Sequence, residues 1–337
     1  MFTCGSLFAG MGGLCLGMEK AGFNTLWANE FNDDCLNVYK LNFPNTKLVP
    51  GDIREISVSS ADLQPVDVLH GGFPCQSFSS AGNRLGFQDE RGRLFFEIIR
   101  LIEEFGEAKP KVLLLENAPN LMLGDNGDWI DSIITELQLC GYWVAKHNCL
   151  IVDAMRHCGL PQRRERLFII ATSQDHFLDN PFGGSFDETE REDIAEFLDL
   201  TQKLPDYYYL SPDNRFGSKL YEDLKNKPKN SLSQLRKTFA RSVDYGICPT
   251  LTANMGQGGH NVPFLIDHKG LRKLTEKECL KLQGFPDDYV IPDPEEMARS
   301  KIYQMIGNSV SPLVSELLAK LIYDYLSENL NENRMAV

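Results

Sequence analysis

No run of 18 apolar residues occurs anywhere in the 337-residue chain, so nothing in it reads as a membrane-spanning helix. The opening MFTCGSLFAG lacks the basic segment that begins a signal peptide. The nine cysteines are odd in number and no two form a C-x-x-C pair. They are scattered through strand-like and helix-like segments, which excludes a disulfide framework and fits reduced thiols in a cytoplasmic protein. No internal repeat, low-complexity tract or metal-ligand cluster stands out. Positive charge is also short: 34 Lys and Arg face 47 Asp and Glu, a net charge of −13. Phosphate binding wants Lys and Arg, so the overall balance speaks against nucleic acid. The local balance does not. The block SFDETEREDIAEFLDL (Ser185 to Leu200) reads as a solvated acidic face, and from Lys203 to Arg241 the sign reverses, with Lys219, Lys225, Lys227, Lys229, Arg236, Lys237 and Arg241 close together. A polyanionic partner is therefore permitted.

What is present is a globular composition, 42% apolar and 24% charged, in a chain long enough for one large domain and a smaller one. The first half alternates strand and helix patterns: FTCGSLF, then GGLCLGMEKAG; NTLWANE, then NDDCLNVYKLN; TKLVPGD; VDVLHGG, then LFFEIIRLIEEFG; PKVLLLEN, then DWIDSIITELQLCG; and RLFIIAT. Repeated units of this kind predict an α/β fold, a Rossmann-like, doubly wound, mostly parallel sheet covered on both faces. After about Thr172 the periodicity fades into Pro-, Asn- and Asp-rich sequence such as DYYYLSPDN, and helical spacing returns in TEKECLKLQGF and SPLVSELLAKLIYDYLSEN. The expected division is a large domain over 1–173, an inserted domain over 174–270, and a segment over 271–337 that returns to the large domain.

Chemistry-bearing residues gather at the predicted strand ends. Gly10, Gly12 and Gly13 lie between the first strand and first helix, where glycines let the backbone approach a ligand. Glu30 ends the second strand, where an acid meets ribose hydroxyls in dinucleotide folds, and Asp52 ends the third. A nucleoside-bearing cofactor fits, but Cys15 occupies the place of the last glycine in G-x-G-x-x-G, so the nicotinamide fingerprint is broken. The fourth strand runs into Pro74, Cys75, Gln76 and Ser77, and the following loop carries Gly82, Gly86 and Gly92. A lone Cys is more often packing than chemistry; the Pro-Cys-Gln turn and the glycine-spaced loop point to a nucleophile under a mobile lid. Glu116 and Asn117 end the fifth strand, as acid and hydrogen-bond partner or as a helix cap. In QRRER, Arg164 and Arg166 stand at alternate positions and are expected to share a site; solvated charge is the plainer reading.

Taken together, FAGMGG, NE, GDI, GFPCQSFS, EN, QRRER, RKLTEKECLKLQGFPDDY and IGNSVSP, in this order, resemble the motifs of the C5-cytosine methyltransferases. The resemblance implies a Rossmann-like catalytic domain with an inserted target-recognition domain, S-adenosylmethionine as cofactor, and double-stranded DNA as partner. Position by position, it implies Cys75 as nucleophile, with Glu116, Gln162, Arg164 and Arg166 completing the catalytic set. Ala118 follows Glu-Asn where Val is common in the family. Phe8, Gly10, Gly12, Gly13, Glu30, Phe31, Asp52, Ile53, Pro74, Leu94, Asn308 and Ser309 are implied as cofactor contacts. Gln76, Ser79, Thr250, Leu251, Gly258, Arg236, Lys237 and Arg241 are implied as DNA contacts, the Thr-Leu pair and glycine loop lying in CPTLTANMGQGGHNVPF. No metal is expected. Addition of a thiolate to C6 would turn C5 of cytosine, a poor nucleophile, into an enamine-like carbon able to take a methyl group. The base would have to be flipped out of the duplex first.

Within the family, a tRNA-methylating branch shares the catalytic motifs, but its Cys-Phe-Thr segment is missing here, which favours DNA. A catalytically dead binding protein is disfavoured by intact Cys75, Glu116, Gln162 and Arg164. A dehydrogenase would explain the glycine turn and Glu30 but not the other motifs together. The short chain resembles the restriction-modification type, which implies a cognate restriction endonuclease as a functional rather than physical partner, a monomer, and a cytoplasmic location.

Overall fold

The computed structural model describes residues 1–74, 93–236, 239–257 and 261–335. The predicted first-half units form. β1 (Thr3–Leu7), α1 (Gly13–Lys20), β2 (Asn24–Glu30), α2 (Asp33–Asn42), β3 (Lys47–Pro50), β4 (Val68–Gly72), α3 (Arg93–Phe105), β5 (Val112–Asn117) and α4 (Asp128–Leu139) follow in order. Then come β6 (Tyr142–Trp143), β7 (Cys149–Asp153), the single-turn α5 (Ala154–Cys158) and β8 (Glu165–Ser173). The sheet order is β3-β2-β1-β4-β5-β8-β6, with β7 also paired to β8. β1 to β5 pair in parallel, whereas β8 runs antiparallel to both β5 and β6. The fold is thus α/β with a mostly parallel central sheet.

Local sequence explains the elements. Asn32 caps α2 by accepting the Cys35 N–H at 3.1 Å, and two acids follow in its first turn, where the helix dipole favours them. β5 reads VLLLEN because it is central and covered on both faces. On one face Leu7, Leu69, Leu113, Leu115 and Ile169 pack with Phe95, Ile98 and Ile102 of α3 and Ile130, Ile133 and Leu137 of α4. Each such side chain contributes about 1.5–3 kcal/mol by leaving water.

The chain divides into two compact units, Met1–Val152 with Glu165–Asp187 and Val314–Val337, and Asp153–Arg164 with Glu188–Leu313. The last helix, α9 (Pro312–Met335), brings the chain back to the first unit. Its Ser315 hydroxyl donates to the Leu14 carbonyl at 2.7 Å, and Tyr323 meets Phe2 and Phe23 edge-on at 5.1 and 5.3 Å.

The stretch without visible periodicity is nonetheless folded. α6 (Arg215–Leu224) packs on a second, four-stranded sheet of β9 (Ser233–Arg236), β10 (Phe239–Ser242), β11 (Phe264–Ile266) and β12 (Leu271–Lys273), ordered β10-β9-β11-β12 and antiparallel. Strands of three or four residues are too short to show an alternating pattern. α7 (Glu276–Gln283) has a reciprocal capping box: the Thr275 hydroxyl accepts from Glu278 N–H at 3.2 Å and the Glu278 carboxylate accepts from Thr275 N–H at 2.7 Å. α8 (Arg299–Asn308) completes the unit. Among the described residues no helix is long and apolar enough to cross a membrane.

Candidate active site

In the first unit, the order of strands reverses between β1 and β4, and ligands of such sheets bind beyond the carboxyl ends of the strands there. Between β1 and α1 the backbone takes φ of +53° at Phe8, +57° at Gly10 and +86° at Gly12. A Cβ at Gly12 would come within 2.3 Å of the Phe43 ring, so packing as well as φ demands glycine; a Cβ at Gly10 would meet nothing within 4 Å. Gly10 therefore borders open space. Gly13, buried, begins α1.

Glu30 is 6% exposed at the end of β2 and holds this turn from below. One carboxylate oxygen accepts the Gly10 N–H at 2.8 Å; the other accepts Phe31 and Asn32 N–H at 3.0 and 2.9 Å. Phe31 projects, 69% exposed. Past β3, Asp52 accepts from the Arg54 backbone at 3.0 Å and from its guanidinium at 3.0 and 2.6 Å, which keeps the Asp52 carboxyl below its ordinary range. Ile53 is buried beside it. The structure thus brings Phe8, Gly10, Gly12, Gly13, Glu30 and Phe31 onto one turn, with Asp52 and Ile53 following the adjoining strand.

The carboxyl ends of β4 and β5 form the other half. A Cβ at Gly71 would lie 2.5 Å from the Leu7 carbonyl oxygen, and one at Gly72 would lie 2.6 Å from a Glu116 carboxylate oxygen. The Gly-Gly pair therefore makes room for a carboxylate at the sheet's edge. Glu116 pairs with Arg166 Nε at 3.1 Å, both side chains largely covered. Asn117 reaches back to donate to the Phe73 carbonyl at 3.0 Å and accepts the Ala118 N–H at 2.8 Å. It pins the chain just before Pro74. Leu94, on α3, packs against the core. Cys75, Gln76 and Ser79, with the glycine-spaced loop, lie outside the described residues.

Gln162 and Arg164 belong to the second unit. Gln162 donates to the Leu282 carbonyl at 2.8 Å and to the Gln283 side-chain oxygen at 3.0 Å, and accepts the Leu251 N–H at 3.1 Å. Arg164, 2% exposed, donates to the carbonyls of Leu251, Gly307 and Ser309 at 2.6, 3.0 and 2.6 Å. The Thr250 hydroxyl donates to the Arg163 carbonyl at 2.6 Å. Thr250, Leu251 and Ser309 are thereby tied to the QRRER stretch; Asn308 is exposed at the end of α8. Arg164 and Arg166, expected to share a site, take different partners in different units. The reason is the break in extended structure: β8 begins only at Glu165, so strand alternation does not reach Arg164. Arg241 is exposed on β10. Arg236 ends β9, and Lys237 and Gly258 lie outside the described residues.

Sequence reasoning passed over the packing roles of Gly71 and Gly72 and the tether made by Asn117. The adjacent glycines just before the Pro-Cys turn were the available signal. It also passed over His70, which is fully buried on β4. Neither ring nitrogen has a hydrogen-bond partner among the described residues, and burial holds its pKa down to about 3.

The family model of the C-5 cytosine-specific DNA methylases matches residues 2–324. The chain belongs to that family. It is a methyltransferase that acts on C5 of cytosine in DNA. Among curated relatives, it is 40% identical to the Type II methyltransferase M.Bsp6I of Bacillus sp. (strain RFL6), over 96% of this chain and 99% of that one. It is 34% identical to the Type II methyltransferase M.HaeII of Haemophilus aegyptius, over 94% and 91%. A structure of Spodoptera frugiperda DNMT2 superposes with a TM-score of 0.73 over 96% of this chain and 100% of the other at 18% identity, a likeness of fold. A prophage-encoded E. coli protein, described as a DNA modification methyltransferase, gives 0.68 at 25% identity over 97% and 100%.

Proposed function

We propose that this C5-cytosine methylase transfers the methyl group of S-adenosylmethionine to a cytosine flipped out of a short, specific duplex sequence, within a restriction-modification system. The cofactor supplies an electrophilic methyl group. The turn after β1 suits its nucleoside part. A carboxylate offers about four acceptor positions, and Glu30 uses three on backbone N–H groups, leaving one oxygen able to take a ribose hydroxyl. Gly10 leaves space above it.

The observation that carries the reading of the reaction is the Glu116–Arg166 pair at the sheet edge, in the room that Gly72 opens. In sequence Cys75 directly follows Pro74, and Asn117 tethers the chain at Phe73. In the reaction, the Cys75 thiolate would add to C6 of cytosine, C5 would become nucleophilic and take the methyl group as its bond to the donor sulfur breaks, and a base would remove the C5 proton as the thiolate leaves. At its unperturbed pKa, roughly a tenth of a thiol is thiolate near pH 7.5. Glu116, in its protonated form, donates a hydrogen bond to the ring nitrogen N3 as charge builds in the adduct, and Arg166 orients Glu116 and the base. Arg164 works at one remove, by fixing the backbone at Leu251 and Ser309. The second unit contributes the sequence reader, with Arg241 among its phosphate contacts.

The test is sequencing of 5-methylcytosine in a mixed-sequence plasmid incubated with the protein and S-adenosylmethionine. Methylation confined to one short context is expected. An unmodified plasmid, with methylation of tRNA in its place, would overturn the reading.

A further inference from the structure

The four-stranded sheet of the second unit is covered unevenly. In the β9–β10 pair, Phe239 stands opposite Arg236, Ala240 opposite Leu235, Arg241 opposite Gln234, and Ser242 opposite Ser233. Successive side chains alternate between faces, so Leu235 and Ala240 share one face while Gln234, Phe239 and Arg241 share the other. The first face is closed by α6, whose Leu220 and Leu224 pack with Leu235, Phe264 and Leu271, and with Ala240 at the margin. The second face is closed at its far end and over Gln234, and open beyond it. At the far end Leu265 and Arg272 are fully buried, and Arg272 is held by Asp267 and Glu278 at 2.8 Å each. At the near end Gln234 is buried, its amide donating to the Asn261 carbonyl at 3.0 Å. Phe239 beyond it is 57% exposed, and Arg241 is exposed too.

Charge on an edge strand is an ordinary guard against strand pairing. An exposed phenylalanine on the same strand works against that guard and calls for an occupant. The chain carries a net charge of −13, and several cations of this region are already neutralised: Lys225 by Glu222, Lys227 by Asp223, and Lys269 by Asp206. The Arg241 guanidinium has neither hydrogen bond nor ion pair among the described residues. A planar guanidinium fits a phosphate in two-pronged fashion, and an apolar ring beside it fits a thymine methyl or other base edge.

We propose that the Phe239–Arg241 face of β10 contacts the DNA substrate, Arg241 taking a backbone phosphate and Phe239 packing on a base edge, which makes Phe239 a determinant of the methylated sequence. The proposal rests on the reading of the chain as a DNA methyltransferase. Its test uses the full-length protein and two duplex oligonucleotides, one carrying the context found methylated by sequencing and one scrambled. Affinity is measured across a salt series, with thermal unfolding of each variant alongside. Arg241→Gln is expected to weaken both duplexes alike and to lower the slope of log affinity against log salt by about one. Phe239→Ala is expected to weaken the site-bearing duplex by about tenfold while leaving the scrambled one nearly unchanged, and Phe239→Leu to recover part of the loss. Wild-type affinity, slope and methylated context in both alanine and glutamine variants would overturn the surface while leaving the methyltransferase reading intact. So would a loss of self-association on Phe239→Ala with unchanged DNA affinity, since β10 would then be an edge between copies. A wild-type protein that methylates no duplex would remove both.

Discussion

Arg164 and Arg166 stand two residues apart and end in contrasting surroundings. Arg164, in the second unit, is 2% exposed and donates to the backbone carbonyls of Leu251, Gly307 and Ser309. Arg166, in the first unit, faces a carboxylate at a strand end and keeps part of its surface in solvent. The contrast extends to the units as wholes. The first buries an apolar sheet and helix core, and its carboxylates Glu30, Asp52 and Glu116 stand at the carboxyl ends of strands. The second buries charge in its interior, with Arg272 bonded to Asp267 and Glu278 and fully covered. A buried guanidinium held by fixed carbonyls or buried acids serves the fold; one that meets a carboxylate at a strand end and keeps some exposure can take part in chemistry.

The sharpest way to break this contrast is through the first unit's nucleophile. Cys75→Ser should cut methyl transfer by roughly 10³-fold or more while S-adenosylmethionine still binds; near-normal turnover with calorimetrically normal cofactor binding would end the covalent mechanism. Next comes the second unit's buried charge. Arg272→Met strands two acids and should cost about 3–5 kcal/mol in denaturant unfolding. Arg164→Met leaves three carbonyls without their donor and should cost about 3 kcal/mol. Variants of either residue with wild-type stability would refute a structural role. Arg166→Ala, by contrast, should lower kcat about 10²-fold with little change in the unfolding midpoint. Equal loss of activity and stability would place Arg166 with Arg164 after all. Glu30→Ala should weaken S-adenosylmethionine about tenfold, the worth of a hydrogen bond to a charged group, and leave DNA affinity unchanged; titration with each ligand separates the two.

A further expected effect concerns acid. Burial holds His70 neutral with a pKa of about 3, whereas an unfolded histidine titrates near 6.5. Between those values the unfolded chain binds a proton that the folded one does not, so stability is full above about pH 6.5 and falls toward pH 3. In the second unit, burial raises the Asp267 carboxyl, but the N–H groups of Lys269 and Gly270, the Tyr209 hydroxyl and Arg272 outweigh it, leaving the pKa below the ordinary value. That contribution is present above the unfolded carboxylate pKa and is lost only as pH falls through the lowered one. Unfolding curves from pH 7 to 4 should therefore show the wild type losing stability relative to His70→Leu; parallel curves would remove His70 from the account.

Long elements were legible in the sequence because they repeat one pattern over many residues. PKVLLLEN announced a strand, and GDI and NE placed Asp52 and Glu30 at strand ends, where the structure has them. The short strands β9 to β12 were not legible, since three or four residues carry no period, and α8 has an exposed end and mixed composition. Within the site, the glycine turn and Glu116 could be placed from order alone. The partition of QRRER between two units could not, because nothing in five residues says where β8 begins.

The sequence by itself determined the family, the order of strands and helices, and the residue types at the strand ends, because local periodicity and turn chemistry act over a few residues. Tertiary structure alone decided that Arg166 meets Glu116, that Gly72 makes room for that carboxylate, and that α6 closes one face of a sheet while leaving Phe239 and Arg241 open on the other. Those outcomes depend on which distant segments supply hydrogen-bond partners and cover, and no local pattern encodes them.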